Sequence, residues 1–272
     1  RRQPTVVRPD GRAHEVRSPV RVLVCVKRVP APGARINITA DGQAVDTAHL
    51  AFTTSPHEEC AVESAAQLVE EHGGEATVLT LGPAASEEQL RYAASVGIQR
   101  CVLAPVSEEW DPQRTATGMV SVIGELEATD GPFDLILFGN ESADAGGFQV
   151  GIRVAHALDR PIVNGAKGLT VEEGHARIER ATDAGLETYA LTLPAVIGIK
   201  EGINLPRYPT MRGRLASKKA DVVTVEVDAA AGGLRKVMLE RPPERESSTV
   251  ILGHGPEAAA AVVDLLDEIG AL

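Results

Sequence analysis

Cysteine and histidine are too few and too scattered in this sequence to build a disulfide framework or a metal site. The three cysteines, Cys25, Cys60 and Cys101, are far apart and odd in number. This argues against a disulfide-stapled scaffold and indicates a reducing, cytoplasmic compartment. The seven histidines have no ligand spacing, so we expect no bound metal.

Long apolar runs and catalytic motifs are also missing. No run approaches the ~18 apolar residues of a membrane-spanning helix, and the net charge of −11 argues against a general nucleic-acid binder. The chain has no P-loop, no Ser/His/Asp grouping, no reactive-cysteine context and no pair of carboxylates sharing a pocket. We therefore expect a binding and positioning module that is not an enzyme.

The sequence does contain apolar strands that alternate with helices, in a chain long enough for one large domain. Ser55, Pro56 and Glu58 form a capping-box signature at the start of the first helix, and we expect Ser86 to cap the second. The pattern predicts an α/β fold with a doubly wound, mostly parallel sheet, Rossmann-like with the topology of adenine-nucleotide hydrolases. Strands are expected over 21–29, 76–83, 101–106 and 133–140, and a third helix through 115–126.

Three regions follow from this pattern. Residues 1–20 are Arg-rich with few apolar groups, which predicts a mobile N-terminal extension. Residues 21–228 are expected to form the α/β nucleotide-binding domain. Residues 229–272 are expected to form a C-terminal arm whose final amphipathic helix must bury its apolar side on something else.

Ligands collect beyond the carboxyl ends of parallel strands, so the ends of the first and fourth strands are the candidate site. Cys25 precedes an irregular turn there, although it is equally explained as a small core residue. After the fourth strand, Gly146 and Gly147 let backbone N–H groups approach an anion near a helix start. Asp144 is a candidate for a ribose hydroxyl; the alternative is a loop or capping role.

The stretch 185–220 reads GLETYALTLPAVIGIKEGINLPRYPTMRGRLASKKA. It predicts an alternating strand, a buried strand and then a loop over 199–208. Ile203 is a branched apolar residue in that loop, and basic residues follow it. An apolar anchor beside cations suits docking on another protein. The alternative is a core strand, a surface turn and a solvated helix.

The short motifs GLET, LPAV, N-x-PRY and KK, in that order, resemble the beta subunit of the electron transfer flavoproteins. The resemblance covers roughly residue 21 to the C-terminus. The resemblance implies a heterodimer with an alpha subunit that holds most of the FAD, and AMP in this chain. Electrons would pass from acyl-CoA dehydrogenases or related flavin enzymes to a quinone-linked acceptor. It also implies that the C-terminal arm wraps onto the alpha subunit.

The resemblance also assigns residues. Those implied to contact the nucleotide are Cys25, Ser55, Pro56, His57, Glu58, Leu81, Gly139, Asn140, Asp144, Gly147, Phe148, Gln149 and Val150. The partner-docking residues it implies are Ile203, Asn204, Pro206, Arg207, Tyr208 and Glu173. Glu173 also fits a solvated turn between two strands of a hairpin.

The chain departs from the family pattern at several positions. Ser55 replaces an Asn before Pro56, and the DAGGFQVG segment lacks an acidic residue and contains Phe148. These changes argue against a second FAD in the nucleotide pocket. The runner-up function is a stand-alone adenine-nucleotide-binding protein of the universal-stress type, but the late glycine-rich phosphate loop of that class is missing. A third alternative is a scaffold whose nucleotide site has closed.

Overall fold

A computed structural model describes residues 6–7, 13–14, 19–230, 232–243 and 249–272. Its centre is a nine-stranded sheet with strand order β13-β12-β11-β14-β10-β3-β8-β9-β15. Strands β12 and β13 pair antiparallel at one edge, and the other seven strands are mutually parallel. The strands of this sheet are β3 (Val20–Cys25), β8 (Gly74–Gly82), β9 (Arg100–Pro105), β10 (Leu135–Gly139), β11 (Ile162–Glu172), β12 (His175–Thr182), β13 (Gly185–Thr192), β14 (Ala195–Ile199) and β15 (Val222–Thr224).

Helices cover both faces of the sheet, because its central strands are apolar on both sides. Helices α1 and α2 pack on one face against one buried cluster that includes Val22, Val24 and Leu137. Helices α3 and α4 pack on the other face against a second cluster that includes Leu23 and Ile136. The helices are α1 (Pro56–His72), α2 (Glu87–Ser95), α3 (Pro112–Asp130), α4 (Val150–Ala157), α5 (Met211–Ser217) and α6 (Ala258–Glu268). The predicted doubly wound fold is confirmed.

The direction of chain progression reverses at β3. From β3 the chain passes through α1, β8 and α2 to β9 on one side, and then crosses through α3 to β10 on the other. Such a reversal opens a crevice beyond the carboxyl ends of the two strands on either side of it. Here those ends are Cys25 on β3 and Gly139 on β10.

Short two-stranded antiparallel sheets form separately from the nine-stranded sheet. They are β1 (Val6–Val7) with β2 (Ala13–His14), β4 (Val29–Pro30) with β7 (Phe52–Thr53), and β5 (Asn37–Ile38) with β6 (Val45–Asp46). The last pair forms a hairpin around Asp41-Gly42. The prediction of a mobile extension falls mostly on 1–5, 8–12 and 15–18, which lie outside the described residues.

The C-terminal arm crosses the surface of the domain with few contacts. Leu239 N–H donates to Gly42 O at 2.8 Å, and Gln43 Nε2 donates to Val237 O at 3.0 Å. Helix α6 has no buried residue, and Val263 and Ile269 are exposed. Its docking on a partner subunit stays a prediction.

Two predicted details are wrong. Ser86 does not cap α2: it ends a 3-10 turn, Ala84–Ser86, and its buried hydroxyl accepts no hydrogen bond at the helix start. The first strand ends at Cys25 instead of continuing to Val29, because the chain turns there and Val29 pairs with Thr53. The predicted helix through 115–126 lies inside the longer α3.

Candidate functional site

Helix α1 begins at the crevice with its free N–H groups satisfied by its own residues. Ser55 Oγ accepts from Glu58 N–H at 3.2 Å, and Glu58 Oε2 accepts from Ser55 N–H at 3.0 Å. This is the predicted capping box. Gly139 lies so close that a Cβ there would come within 2.8 Å of Glu58 Cγ. The end of β10 and the start of α1 therefore touch because residue 139 has no side chain.

Glu58 also fixes the turn that follows β3. Its Oε1 accepts from Lys27 N–H at 2.8 Å, so one buried carboxyl joins β3 to α1. Burial raises the pKa of Glu58 to about 7, although hydrogen bonds from Ser55 and Lys27 and the Lys27 charge oppose that shift. The Cys25 thiol is buried beside it, and burial, followed by the Glu58 charge, raises the pKa of that thiol. A protonated, buried Cys25 packs as a core residue and is a poor nucleophile.

The turn after β10 is closed by Asp144. Its Oδ1 accepts from Ser142 Oγ at 2.7 Å and from Ala145 N–H at 2.8 Å, while Oδ2 pairs with Lys27 Nζ at 2.7 Å. Burial opposes ionisation, but the Lys27 charge and these hydrogen bonds hold the pKa of Asp144 below its ordinary value. The loop-stabilising role of Asp144 is therefore present in the structure, and the ion pair spans the crevice between β3 and β10.

Helix α4 begins differently from α1. Gln149 precedes it in an αR conformation, and no side chain caps its first N–H groups. Gln149 Oε1 instead accepts from Arg153 Nη2 at 3.1 Å, and no carboxylate of the described residues pairs with Arg153. Uncapped N–H groups next to an unpaired guanidinium favour an anion. Gly146 and Gly147 precede this helix with open space where a Cβ would stand.

A groove lies at this helix start. It has a volume of about 330 Å³ and is lined by Asp111, Gln113, Gln149, Arg153, Gly233 and Leu234. Phe148 lies just before the helix and is 52% exposed, so its ring does not fill the core beneath. The groove is consequently open to a ligand, with the cationic Arg153 on one side and the carboxylate of Asp111 already committed to the N–H groups of α3.

His57 bridges the crevice to the loop over 199–208. Its Nδ1 accepts from Glu201 N–H at 2.7 Å, so Nε2 carries the hydrogen and donates to Glu141 Oε1 at 3.2 Å. Asn140, next to Glu141, donates its N–H to Ile199 O at 2.8 Å. The segment after β10 and the segment after β14 are therefore held side by side.

The loop itself is tied to α1. Asn204 Nδ2 donates to Cys60 O at 3.0 Å and to Ser64 Oγ at 2.9 Å. Arg207 donates to the buried Glu63 at 2.8 and 2.9 Å and pairs with Glu70. Burial opposes ionisation of Glu63, but the hydrogen bonds and charge of Arg207 lower its pKa. The loop is thus preorganised on the helix.

These ties decide which apolar residues the loop exposes. Ile203, the predicted anchor, is half-buried and packs against the core cluster under α1. Leu205 is 89% exposed, and Tyr208, Met211 and Leu215 are exposed beside it. The apolar surface of this region is therefore larger than one residue and centres on Leu205.

The structure brings most predicted nucleotide-contacting residues to one edge of the sheet. Leu81 ends β8 and is half-buried against the α3 side of the core, and Val150 opens α4. Pro56 occupies the first turn of α1. Glu173 instead lies in the exposed turn between β11 and β12 with φ of 46°. Lys27, Arg153 and Leu205 were not among the predicted site residues; an (i, i+4) spacing from Gln149 was the only available signal for Arg153.

Two kinds of feature are missing from the described part of the chain. None of its helices combines the length and apolar character needed to cross a membrane. None of its groups of three or more His, Cys, Asp or Glu side chains is arranged to hold a metal ion.

Comparison with known proteins identifies the family. A model described as the electron transfer flavoprotein domain matches residues 44–230. Three relatives are named electron transfer flavoprotein subunit beta. The Bacillus subtilis relative is 32% identical over 219 residues, covering 78% of this chain and 84% of the relative. The Syntrophomonas wolfei relative is 32% identical over 243 residues, covering 89% and 93%. The Homo sapiens relative is 31% identical over 261 residues, covering 92% and 98%. The chain therefore belongs to the electron transfer flavoprotein beta subunit family.

Proposed function

We propose that this chain is one half of a heterodimeric electron carrier and has no catalytic role of its own. It pairs with an electron transfer flavoprotein alpha subunit that holds most of the FAD, in the cytoplasm. The carrier takes electrons from acyl-CoA dehydrogenase-like or other flavin dehydrogenases and delivers them to a quinone-linked acceptor. The family match over most of the chain supports this proposal, as does the absence of a catalytic grouping from the sequence.

The observation that carries the nucleotide part of the proposal is the uncapped start of α4. An AMP phosphate would accept from the N–H groups at 150–152 and pair with Arg153, which has no carboxylate partner among the described residues. The open side of Gly146 and Gly147 leaves room for a backbone-hugging anion. The residues present therefore fit AMP. Bound there, AMP would stabilise the folded protein by linking the segments that it contacts.

Asp144 has a second proposed role in the same site. Its carboxylate already closes the turn through Ser142 and Ala145, and its other oxygen pairs with Lys27. A ribose hydroxyl donating to that second oxygen would share it with Lys27. Asp144→Ala is then expected to reduce AMP retention, whereas unaltered retention would leave Asp144 with its turn-stabilising role alone.

The loop over 199–208 is the proposed docking site for the dehydrogenase. Rigid attachment through Asn204 and Arg207 lowers the entropy lost on docking, and Leu205 supplies the exposed anchor. We expect Leu205→Ala to slow electron transfer from a dehydrogenase without changing flavin content. Ile203→Ala should slow it as well, with an added loss of stability because Ile203 packs on the core. Equal turnover in all three proteins would remove this role from the loop.

Co-expression with an electron transfer flavoprotein alpha subunit tests the proposed function. The expected product is a heterodimer with the absorbance spectrum of bound flavin, bleached by a dehydrogenase and its substrate. A tight heterodimer without flavin absorbance, or a colourless monomer that binds adenine nucleotide alone, would contradict the proposal. The monomer outcome would favour the universal-stress alternative.

A further inference from the structure

A second cavity lies away from the nucleotide edge, between the segment that leads into α1 and helix α2. Its volume is about 100 Å³, enough for a side-chain head group or a few waters. It is lined by Phe52, Thr53, Thr54, Glu88, Gln89 and Tyr92. None of these residues takes part in the site described above.

One lining residue presents a hydrogen-bond acceptor without a donor. Gln89 is only 4% exposed, and its side-chain Oε1 is buried and has no hydrogen-bond partner in the structure. Buried polar atoms are nearly always paired, because leaving one unpaired costs about 1–3 kcal/mol. A group that fills this cavity and donates a hydrogen bond would satisfy Gln89.

The one charged residue in the lining of the cavity, Glu88, is acidic. Glu88 lies at its mouth in the first turn of α2, and none of the described residues pairs with its carboxylate. Glu59, on α1 and outside the lining of the cavity, is half-buried and also lacks an ion-pair partner within the described ranges. Burial, the charges of Glu59 and Glu63 and the nearby Tyr208 all raise the pKa of the Tyr92 phenol. A cation entering here would therefore gain most from Glu88 and, over a longer distance, from Glu59, two carboxylates without an ion-pair partner in the described part of the chain.

The aromatic walls suit a cation as well. Phe52 and Tyr92 both line the cavity, and a guanidinium or ammonium group binds well over an aromatic face. Phe52 already holds one cation: the Arg28 guanidinium carbon lies 3.5 Å from its ring centroid. Arg28 does not line the cavity. The local environment therefore tolerates and stabilises a guanidinium plane.

We propose that this cavity receives an arginine or lysine side chain of the protein that docks on the loop over 199–208. Helix α2, which carries three of the lining residues, packs against α5, the helix that follows that loop: Arg91 Nη1 donates to Ser217 O at 2.8 Å. Gln89 and Thr54 would accept hydrogen bonds from the cationic head, Glu88 and Glu59 would neutralise it, and Phe52 and Tyr92 would flank its aliphatic stem. The identity of the partner rests on the proposed function, whereas the preference for a basic side chain rests on the cavity alone.

Short peptides test the preference directly. The heterodimer would be labelled with ¹⁵N-glutamine and titrated at low ionic strength with Ac-Ala-Arg-Ala-NH₂ and Ac-Ala-Lys-Ala-NH₂. Ac-Ala-Cit-Ala-NH₂, whose citrulline has the shape of arginine without its charge, is the matched control. We expect a saturable shift of the Gln89 side-chain amide with a dissociation constant of about 10 mM, weak because one side chain makes all the contacts. The Gln113 and Gln67 amides serve as internal controls and should stay unshifted.

Two variants separate this cavity from general charge attraction. Gln89→Leu and Glu88→Gln should each weaken binding of the arginine peptide by roughly fivefold, since each removes one interaction with the cation. Glu125→Gln removes an exposed carboxylate from α3, on the other face of the sheet, and should leave binding unchanged. Glu88 is at the surface, so its variant remains informative if Gln89→Leu does not fold.

The outcomes that overturn the proposal are equally specific. They are no Gln89 shift up to 50 mM peptide, a citrulline peptide that binds as well as the arginine peptide, or equal effects of Glu88→Gln and Glu125→Gln. Flavin absorbance of the same sample is recorded in parallel. A flavin-loaded heterodimer that ignores the basic peptides contradicts only the cavity, whereas the loss of flavin contradicts the proposed function.

Discussion

Helices α1 and α4 begin at the same edge of the sheet, but only α1 has a side-chain cap for its first N–H groups. Helix α1 is closed by its own sequence: Ser55 and Glu58 cap each other, and Glu58 also holds Lys27 N–H. Helix α4 has no side-chain cap, and its neighbours are glycines, an exposed Phe148 and an unpaired Arg153. The contrast shows that the start of α1 holds the fold together, whereas the start of α4 leaves its N–H donors available for the proposed ligand.

The closed helix also organises what lies around it. From α1, His57 reaches Glu141 and Glu201, and Glu63 reaches Arg207. The proposed nucleotide edge and the proposed docking loop are therefore attached to one helix. Because α1 carries both connections, changes at its start should act on stability, and changes at the start of α4 should act on binding.

The largest expected effect comes from removing the capping box at the start of α1. Glu58→Ala leaves the N–H groups of Ser55 and Lys27 without acceptors in a buried place, which should cost about 2–4 kcal/mol of unfolding free energy. Denaturant unfolding measures this loss. Glu59→Ala, one residue further along α1 and without a side-chain hydrogen bond, is the control and should change stability little. A Glu58→Ala loss as small as that of the control would show that the capping box contributes little.

The pH dependence of stability sharpens the same point. Burial raises the pKa of Glu58 from 4.5 to about 7, so the folded state binds this proton more tightly than the unfolded state does. The stability that this group contributes is complete below about pH 4.5 and is lost as the pH rises to 7, by up to about 3 kcal/mol. Glu58→Gln does not titrate. Unfolding curves of both proteins between pH 4.5 and 7.5 should therefore converge or cross, and parallel curves would contradict the assignment.

At the uncapped start of α4, the expected effect is on the binding of AMP. Gln149→Glu places a carboxylate next to Arg153 and at the proposed phosphate position. It should weaken AMP binding at least tenfold, about 1.4 kcal/mol, while unfolding free energy changes by no more than about 0.5 kcal/mol. Calorimetric titration with AMP measures the affinity. Gln43→Glu makes the same charge change on a distant turn and should leave AMP affinity as it is.

The sequence predicts the capped start of α1 well and the uncapped start of α4 less well, for a physical reason. A capping box uses residues three positions apart, so Ser55, Pro56 and Glu58 reveal it directly. The alternation of apolar strands and helices likewise predicts the doubly wound sheet. Local chemistry misleads where another turn intervenes, as at Ser86, which ends a 3-10 turn and is buried, and after Cys25, where the chain leaves the first strand.

Contacts between distant residues could not be read from the chain. The Lys27–Asp144 pair and the Arg207–Glu63 pair join segments more than a hundred residues apart. The Arg207–Glu63 pair, together with the hydrogen bonds of Asn204 to α1, turns Ile203 toward the core and leaves Leu205 in solvent, which no local pattern of apolar residues distinguishes. The unpaired Gln89 Oε1 also depends on tertiary structure, because α2 and residues 52–54, which line the same cavity, are distant in the chain.

Mass spectrometry of small molecules released from the denatured heterodimer tests the central claim most directly. If the start of α4 holds a nucleotide phosphate in an electron-carrier heterodimer, the wild type should release FAD and AMP in about equal amounts, and Gln149→Glu should release FAD with little AMP. Release of FAD alone from the wild type, or undiminished AMP from the Gln149→Glu variant, would contradict it.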